Sequence, residues 1–166
     1  MTKATLPKLE TGLYDEDFAL WLEQQVTLLR EGRFDNLDMD NLLEEVEAIG
    51  RSDKREVQNR LIVLLAHLLK YQFQANRRSR SWQATIGEQR RQLELIFKDS
   101  PSLLKQHAPA VLAESYGYAR RQAQDETGLA PETFPEACPY TLEQLLDEDF
   151  LAEAQALAAK EGEAKP

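Results

Sequence analysis

Arg60 and His67 are the two residues of the sequence whose types and spacing could carry out a reaction. Seven positions span about two turns of an α-helix, so both side chains would lie on one face of it. A histidine carries a proton readily near neutral pH, which suits it to acid–base catalysis beside an oriented arginine. Because His67 stands among leucines, a hydrogen-bonded histidine of the core explains the same pattern.

A second set of residues combines positive charge with aromatic rings in the segment 70–90. Arginines bind phosphates and aromatic rings stack on exposed bases, so the set could bind single-stranded nucleic acid. The alternative is structural: the rings pack at a helix junction, and the arginines pair with carboxylates of the flanking helices. The candidate binding residues are Tyr71, Arg77, Arg78, Arg80, Trp82, Glu88 and Arg90.

The distribution of charge favours the structural interpretation of that set. Residues 51–98 carry 11 Lys and Arg against 4 Asp and Glu, whereas residues 1–50 carry 4 against 12 and residues 99–166 carry 5 against 13. The basic segment therefore has an excess of acidic partners within its own chain. A net charge of −9 also disfavours generic binding to nucleic acid or to an anionic membrane.

The sequence predicts no metal site and no cofactor. Glu44, Glu45 and Glu47 could be combined with His67 or His107, but neither histidine follows a glutamate by three residues, the arrangement used in di-metal helical bundles. The glutamates are therefore interpreted as a solvated helix face. No glycine-rich phosphate-binding loop occurs either, because the seven glycines are dispersed along the chain.

Cys138 is the only cysteine, which excludes an internal disulfide and a cysteine-based zinc site. It lies in a loop where no neighbour in sequence would lower its pKa. The first residues contain no apolar segment of signal-peptide length, and the longest unbroken apolar run, residues 61–66, is far too short to span a bilayer. These features predict a cytoplasmic protein in a reducing compartment.

The spacing of apolar residues predicts an all-α single-domain bundle of about five to six helices and no strand. The bundle domain is expected over residues 13–150, between a flexible arm (1–12) and a weakly structured tail (151–166). Its centre should be the helix over residues 53–74, whose middle is apolar on nearly all sides. The other helices are expected to begin at Asp15, Asp38, Ser79 or Ser81, Pro101, Pro109 and Thr141.

Local patterns refine these boundaries. Phe18, Leu22, Val26 and Leu29 form the apolar stripe of the first helix, and Leu42, Leu43, Val46 and Ile49 form that of the second. Gly50 is expected to break or kink the chain before the central helix. Thr141 and Gln144 have the spacing of a capping box. In the fourth helix the apolar side is predicted to be buried and Arg90 and Arg91 to lie outside.

Three blocks of the sequence resemble the bacterial family known only as domain of unknown function 29, over about residues 14–151. They are LLAHLLKYQ (64–72), the residues Arg78, Ser79, Arg80, Ser81, Trp82, Thr85, Ile86, Glu88, Gln89 and Arg90, and CPYTLEQLLDEDF (138–150). The resemblance implies an all-helical bundle of bacterial origin. It implies no activity, cofactor or catalytic residue.

The spacing of Arg60 and His67 is also similar to the arginine–histidine motif of HEPN proteins, helical nucleases of prokaryotic toxins and defence systems. The resemblance implies metal-independent attack by an RNA 2′-hydroxyl, and a dimer because those sites are composite. This chain departs from the motif because Leu61 stands where a polar residue usually follows the arginine.

The functional expectation is a non-catalytic module that binds another protein in the bacterial cytoplasm. The alternatives are an RNase using Arg60 and His67, and single-stranded nucleic-acid binding through residues 71–90. The identity of the protein partner stays open, and a homodimer is compatible with the sequence.

Overall fold

The computed structural model of the chain describes residues 12–151, and within this range it contains six α-helices and no strand. The all-α bundle class expected from the sequence is confirmed. Among residues 12–151, no helical segment combines the length and the hydrophobicity that a membrane span requires. The helices are α1 (Leu13–Glu16), α2 (Phe18–Arg30), α3 (Met39–Phe73), α4 (Arg80–Asp99), α5 (Ala108–Thr127) and α6 (Leu142–Leu146).

The chain divides into two compact units, residues 1–51 and 52–166. The predicted limits of the arm, the bundle domain and the tail stay predictions. Apart from Gly12 and Leu151, the arm and the tail lie outside the described residues.

The described part of the first unit, from Gly12, begins with two helices where the sequence predicted one. Asp15 does not cap a helix; it lies inside the single-turn helix α1, and Asp17 caps α2 by accepting a hydrogen bond from the amide of Leu20 at 3.0 Å. Both aspartates suit a helix start, and the fold places the break after Glu16. Gly32, with φ of 69°, follows the end of α2 in the left-handed conformation that glycine adopts without strain.

Helix α3 continues through Gly50, so the predicted break at this glycine is wrong. Gly50 does not have a positive φ, the conformation by which glycine ends a helix. A glycine inside a helix costs only about 1 kcal/mol relative to alanine, which the surrounding turns can offset. Glu47 and Arg51 form an ion pair across this glycine at 3.4 Å. One helix therefore joins the predicted second helix to the predicted central helix.

The core of the second unit is built on residues 57–71 of α3, as the apolar character of this segment predicted. Nine side chains of α3 are buried there, and the facing helices contribute Ile86, Leu93 and Phe97 from α4 and Tyr116, Ala119 and Ala123 from α5. The loop after α5 adds Phe134 and Tyr140, and α6 adds Leu145. A helix that is apolar on most sides is stable only when neighbouring elements bury it on all of those sides.

The predicted helices beginning at Pro101 and Pro109 are joined, contrary to expectation. A π-helical turn, Leu103–His107, leads directly into α5. Pro109 lacks the amide that would continue a regular α-helical ladder, and a wider turn before it accommodates that gap without ending the helix. Gly128, with φ of 67°, ends α5 as predicted.

Two helix starts predicted from local spacing are confirmed in the second unit. The Ser79 hydroxyl accepts a hydrogen bond from the amide of Trp82 at 3.2 Å and caps α4. Thr141 and Gln144 form the predicted reciprocal capping box at the start of α6, with distances of 2.9 and 3.2 Å. Caps of this kind depend on residues three positions apart, so the sequence alone identifies them.

Candidate functional site

The first unit exposes a row of large apolar side chains on each of its two longer helical segments. Their exposed fractions run from 36% to 65%. The sequence predicted that most of these residues would form the buried stripes of two amphipathic helices, and the structure corrects this expectation. We call the set the hairpin face; it comprises Phe18, Leu22, Val26 and Leu29 of α2 and Met39, Leu43, Val46 and Ile49 of α3.

The side of α2 that is buried is a neighbouring one. Its buried residues are Trp21, Gln25 and Leu28, and each of these is followed directly by a residue of the hairpin face. One position corresponds to about 100° around a helix. The exposed stripe of α2 is therefore rotated about the helix axis by about 100° from the buried stripe, in the direction of increasing residue number.

The same displacement occurs on α3. Asp38, Leu42, Glu45 and Ala48 are half-buried, and each precedes a hairpin-face residue by one position. The buried side of α2 meets this half-buried side, because the Asp38 amide donates a hydrogen bond to Gln25 Oε1 at 2.9 Å. Tyr14, which precedes α2, donates its hydroxyl proton to the Glu45 carboxylate farther along α3.

These contacts show that α2 and the first part of α3 run antiparallel, since an earlier residue of one segment meets a later residue of the other. On each helix the exposed stripe is rotated by the same angle from the side that contacts the other helix. Because the helices are antiparallel, this rotation turns both exposed stripes toward the same side of the pair. The two rows of the hairpin face therefore share one side of the helical hairpin. Exposed apolar patches of this kind mark interaction sites on soluble proteins.

Polar contacts hold the hairpin in this register. The indole nitrogen of Trp21 donates a hydrogen bond to Asp38 Oδ2 at 3.0 Å, and the side-chain amide of Asn41 donates to the same oxygen at 2.8 Å. The hydrogen bond from Asn41, together with that from Trp21, lowers the pKa of Asp38. The Asp38 carboxylate thus stays charged and links the loop, α2 and α3. The face is a feature of an ordered hairpin.

The two residues of the nuclease hypothesis have separate partners. Arg60 pairs with Glu56 at 2.7 Å and donates a hydrogen bond to Gln89 Oε1 at 3.3 Å. These three residues line a cavity of about 490 Å³, and His67 is not part of its lining. The His67 Nδ1–H donates to the Val63 carbonyl at 2.9 Å. RNA cleavage stays a prediction of the sequence. Degradation of labelled RNA by the wild type, and not by Arg60→Ala or His67→Ala, is the measurement that decides it.

Burial lowers the pKa of His67, and a buried lysine lies beside it. Lys70 is only 5% exposed; its ammonium group pairs with the Glu126 carboxylate and lies 5.1 Å from the centroid of the Trp82 ring. The His67 Nε2 lies 3.5 Å from the same ammonium nitrogen. Because the Nδ1 proton is used on the Val63 carbonyl, Nε2 of the neutral ring is left as an acceptor toward Lys70. This arrangement ties α3 to α5 and α4.

The three arginines that follow α3 differ in their surroundings, and binding of nucleic acid through them stays a prediction. The Arg78 Nε donates to the Tyr71 carbonyl at 2.6 Å, and its guanidinium lies 4.9 Å from the centroid of the Tyr71 ring. The Tyr71 side chain is 2% exposed. Arg77 and Arg80 are exposed. Arg78 is therefore a junction residue that binds a backbone carbonyl, where the sequence predicted a carboxylate.

Arg90 is buried, so the prediction that it lies outside is wrong. It is 5% exposed, and its Nε donates to the Leu145 carbonyl at 2.8 Å while Nη1 reaches the Glu148 carbonyl at 3.4 Å. Burial lowers the pKa of Arg90. The last segment of the described chain packs over it. Arg91, by contrast, is exposed as predicted and pairs with Glu88 at 2.9 Å.

Within residues 12–151, no group of three or more His, Cys, Asp and Glu side chains is placed to hold a metal ion. Of the glutamates that the sequence analysis considered as metal ligands, Glu45 accepts a hydrogen bond from the Tyr14 hydroxyl and Glu47 forms an ion pair with Arg51. Each of these glutamates thus has a partner within the first unit.

Sequence reasoning missed the hairpin face because it assumed that every apolar stripe finds a cover. The pattern did contain a sign of it. In α2, apolar side chains occupy two adjacent sides, with Trp21 and Leu28 on one and Leu22, Val26 and Leu29 on the next. That width exceeds what one neighbouring helix covers.

Comparison with known proteins gives one finding. A family model described as "Domain of unknown function DUF29" matches residues 13–151. Comparisons with curated proteins and with solved structures gave no significant match.

Proposed function

The chain belongs to the DUF29 family, to which no function is assigned, and we propose that it is a non-catalytic protein-interaction module of the bacterial cytoplasm. The hairpin face carries the proposal. It holds eight large apolar side chains, each at least 36% exposed, on one side of an ordered hairpin. Leaving such side chains in water costs about 25 cal/mol for each Å² of apolar area, which a docked partner would recover.

The residues between the two rows support the proposal. Hydrogen bonds involving Gln25, Asp38 and Trp21 fix the hairpin before any partner arrives. A preformed surface loses little conformational entropy on binding. Several of the apolar side chains, such as those of Leu22, Leu29 and Leu43, are not branched at Cβ. They can therefore change rotamer to fit a partner's shape.

The test compares capture of partners by three forms of the purified chain from a lysate of the native host. Val46→Arg places a charge in the hairpin face, where the side chain is 65% exposed. Leu95→Arg is the matched control, because Leu95 is 46% exposed on α4, outside the face. Circular dichroism and thermal unfolding establish that both variants fold.

We expect a protein that is recovered with the wild type and with Leu95→Arg and lost with Val46→Arg. A charge in the centre of an apolar interface has to be desolvated, and this reduces affinity by several kcal/mol in a well-packed interface. Recovery of the same proteins with all three forms would contradict the proposal.

A further inference from the structure

We infer that the partner of the hairpin face is a basic amphipathic α-helix; this inference rests on the proposed function and names the chemistry of its partner. An antiparallel helical pair with apolar rows on one side presents a groove between the rows. A third helix fits such a groove with apolar residues spaced at i, i+3, i+4 and i+7. The form of the surface thus favours a helix over an extended peptide, for which the described residues offer no sheet edge.

Charge identifies the kind of helix. Residues 12–51 contain 11 carboxylates and only three arginines. Of these arginines, Arg33 pairs with Glu31 at 3.1 Å and Arg51 pairs with Glu47 at 3.4 Å. The first unit is therefore strongly acidic around the apolar rows.

The acidic side chains also have the right positions to form the border of the face. Asp40, Glu44 and Glu47 are exposed, and each follows a residue of the hairpin face by one position. A further step of about 100° moves them from the apolar row to its outer edge along α3. On α2 the corresponding positions hold Ala19, Glu23, Thr27 and Arg30, so this edge carries no net charge. A docked helix would thus have carboxylates along its α3 flank, which lysines and arginines on that side of the helix would complement.

The same charges disfavour two other occupants. A second copy of the chain would bring the same excess of carboxylates, 11 against three arginines over residues 12–51, to the interface, and like charges facing each other weaken association. An anionic membrane surface attracts basic segments and would repel this one. A basic helix of another protein is the occupant that satisfies both the apolar rows and their border.

The inference is tested with synthetic helical peptides and the full chain, by fluorescence anisotropy. Three peptides share the same apolar positions and differ only on the flanks, which carry Lys, Gln or Glu. We expect the Lys peptide to bind at least roughly tenfold more tightly than the Gln peptide, because several border pairs each add up to a few-fold. We expect the Glu peptide to bind most weakly, and added salt to reduce the difference.

Two variants locate the effect. Asp40→Asn with Glu44→Gln and Glu47→Gln should reduce the preference for the Lys peptide to about threefold or less. A control with the same charge change, Asp125→Asn with Glu132→Gln and Glu143→Gln, alters exposed carboxylates of the second unit and should keep the preference. Circular dichroism checks that both triple variants fold.

The outcomes separate the inference from the proposed function. Equal binding of the three peptides, or no binding of the Lys peptide, overturns the basic-helix inference. So does self-association of the chain or binding to phosphatidylserine vesicles that Val46→Arg abolishes. The proposed function survives each of the first two results if capture from lysate still depends on Val46, and it fails if capture is insensitive to that residue.

Discussion

Arg90→Met should destabilise the fold because Arg90 holds the C-terminal part of the described chain against α4. The substitution keeps the apolar stem and removes the guanidinium. It eliminates the hydrogen bond of 2.8 Å to the Leu145 carbonyl, which a charged donor makes worth about 1.5 to 3 kcal/mol. The contact of 3.4 Å to the Glu148 carbonyl is long and adds little.

One effect opposes this loss. The Arg90 guanidinium is buried, and its Nη2 has no hydrogen-bond partner among the described residues. Removing it relieves an unfavourable desolvation of about 1 kcal/mol, the low end of the range for a buried polar group. The net destabilisation is therefore about 1 kcal/mol.

Urea unfolding followed by circular dichroism measures this change. With a slope of about 2 kcal/mol/M for a chain of this size, the midpoint should fall by about 0.5 M. The melting temperature should fall by about 2 to 4 °C. Hydrogen exchange should also accelerate in α6, whose Leu145 is fully buried beside this arginine.

Arg91→Met is the matched control. Arg91 is the next residue of the same helix, and its exposed side chain pairs with Glu88. Its removal changes the net charge equally but breaks only a solvated pair, so the midpoint should stay within error of the wild type. If Arg90→Met also leaves the midpoint and the exchange of α6 unchanged, the reasoning from Arg90 is refuted.

Three further predictions concern the buried polar groups. Glu126→Gln should destabilise by about 1 to 2 kcal/mol, because the ammonium of Lys70 loses its charged partner and the partner is partly exposed; an unchanged urea midpoint would contradict this. The pKa of His67 is lower when folded than its ordinary 6.5, so the unfolded state takes up the proton first and the free energy of unfolding should fall as pH decreases through about 6.5. His67→Asn should weaken that decrease between about pH 7.5 and 5.5, and an identical slope in both proteins would count against the assignment. Burial raises the pKa of the Cys138 thiol, so a maleimide at pH 7 should label the folded chain more slowly than the urea-unfolded chain; equal rates would refute the protection.

Local sequence chemistry predicted much of the fold. Ser79 and the pair Thr141 and Gln144 cap helices through contacts three residues apart, and Gly128 ends α5 by its own backbone conformation. The helix predicted over residues 53–74 was expected to be central because no solvated helix can be apolar on most sides, and residues 57–71 within it form the core of the second unit. Each of these inferences depends on residues that are neighbours along the chain.

Gly50 and Arg90 show why other features could not be predicted. A glycine inside a helix is a weak penalty, and the neighbouring turns decide whether it ends the helix. An arginine on a helix looks exposed until a distant segment packs over it, and the carbonyls that bind Arg90 are 55 and 58 positions away along the chain. Long-range contacts of this kind leave no periodic trace near the arginine itself.

By itself, the sequence determined that this chain is helical, which segment forms its core and where its charges lie, because periodicity, caps and composition act over a few residues. Tertiary structure alone decided which apolar stripes are covered. Leu22, Val26 and Val46 have the spacing of buried residues. In the hairpin, however, Trp21 and Gln25 are buried, and Leu22, Val26 and Val46 are exposed. Burial depends on what packs against a side chain, and that is a property of the assembled fold.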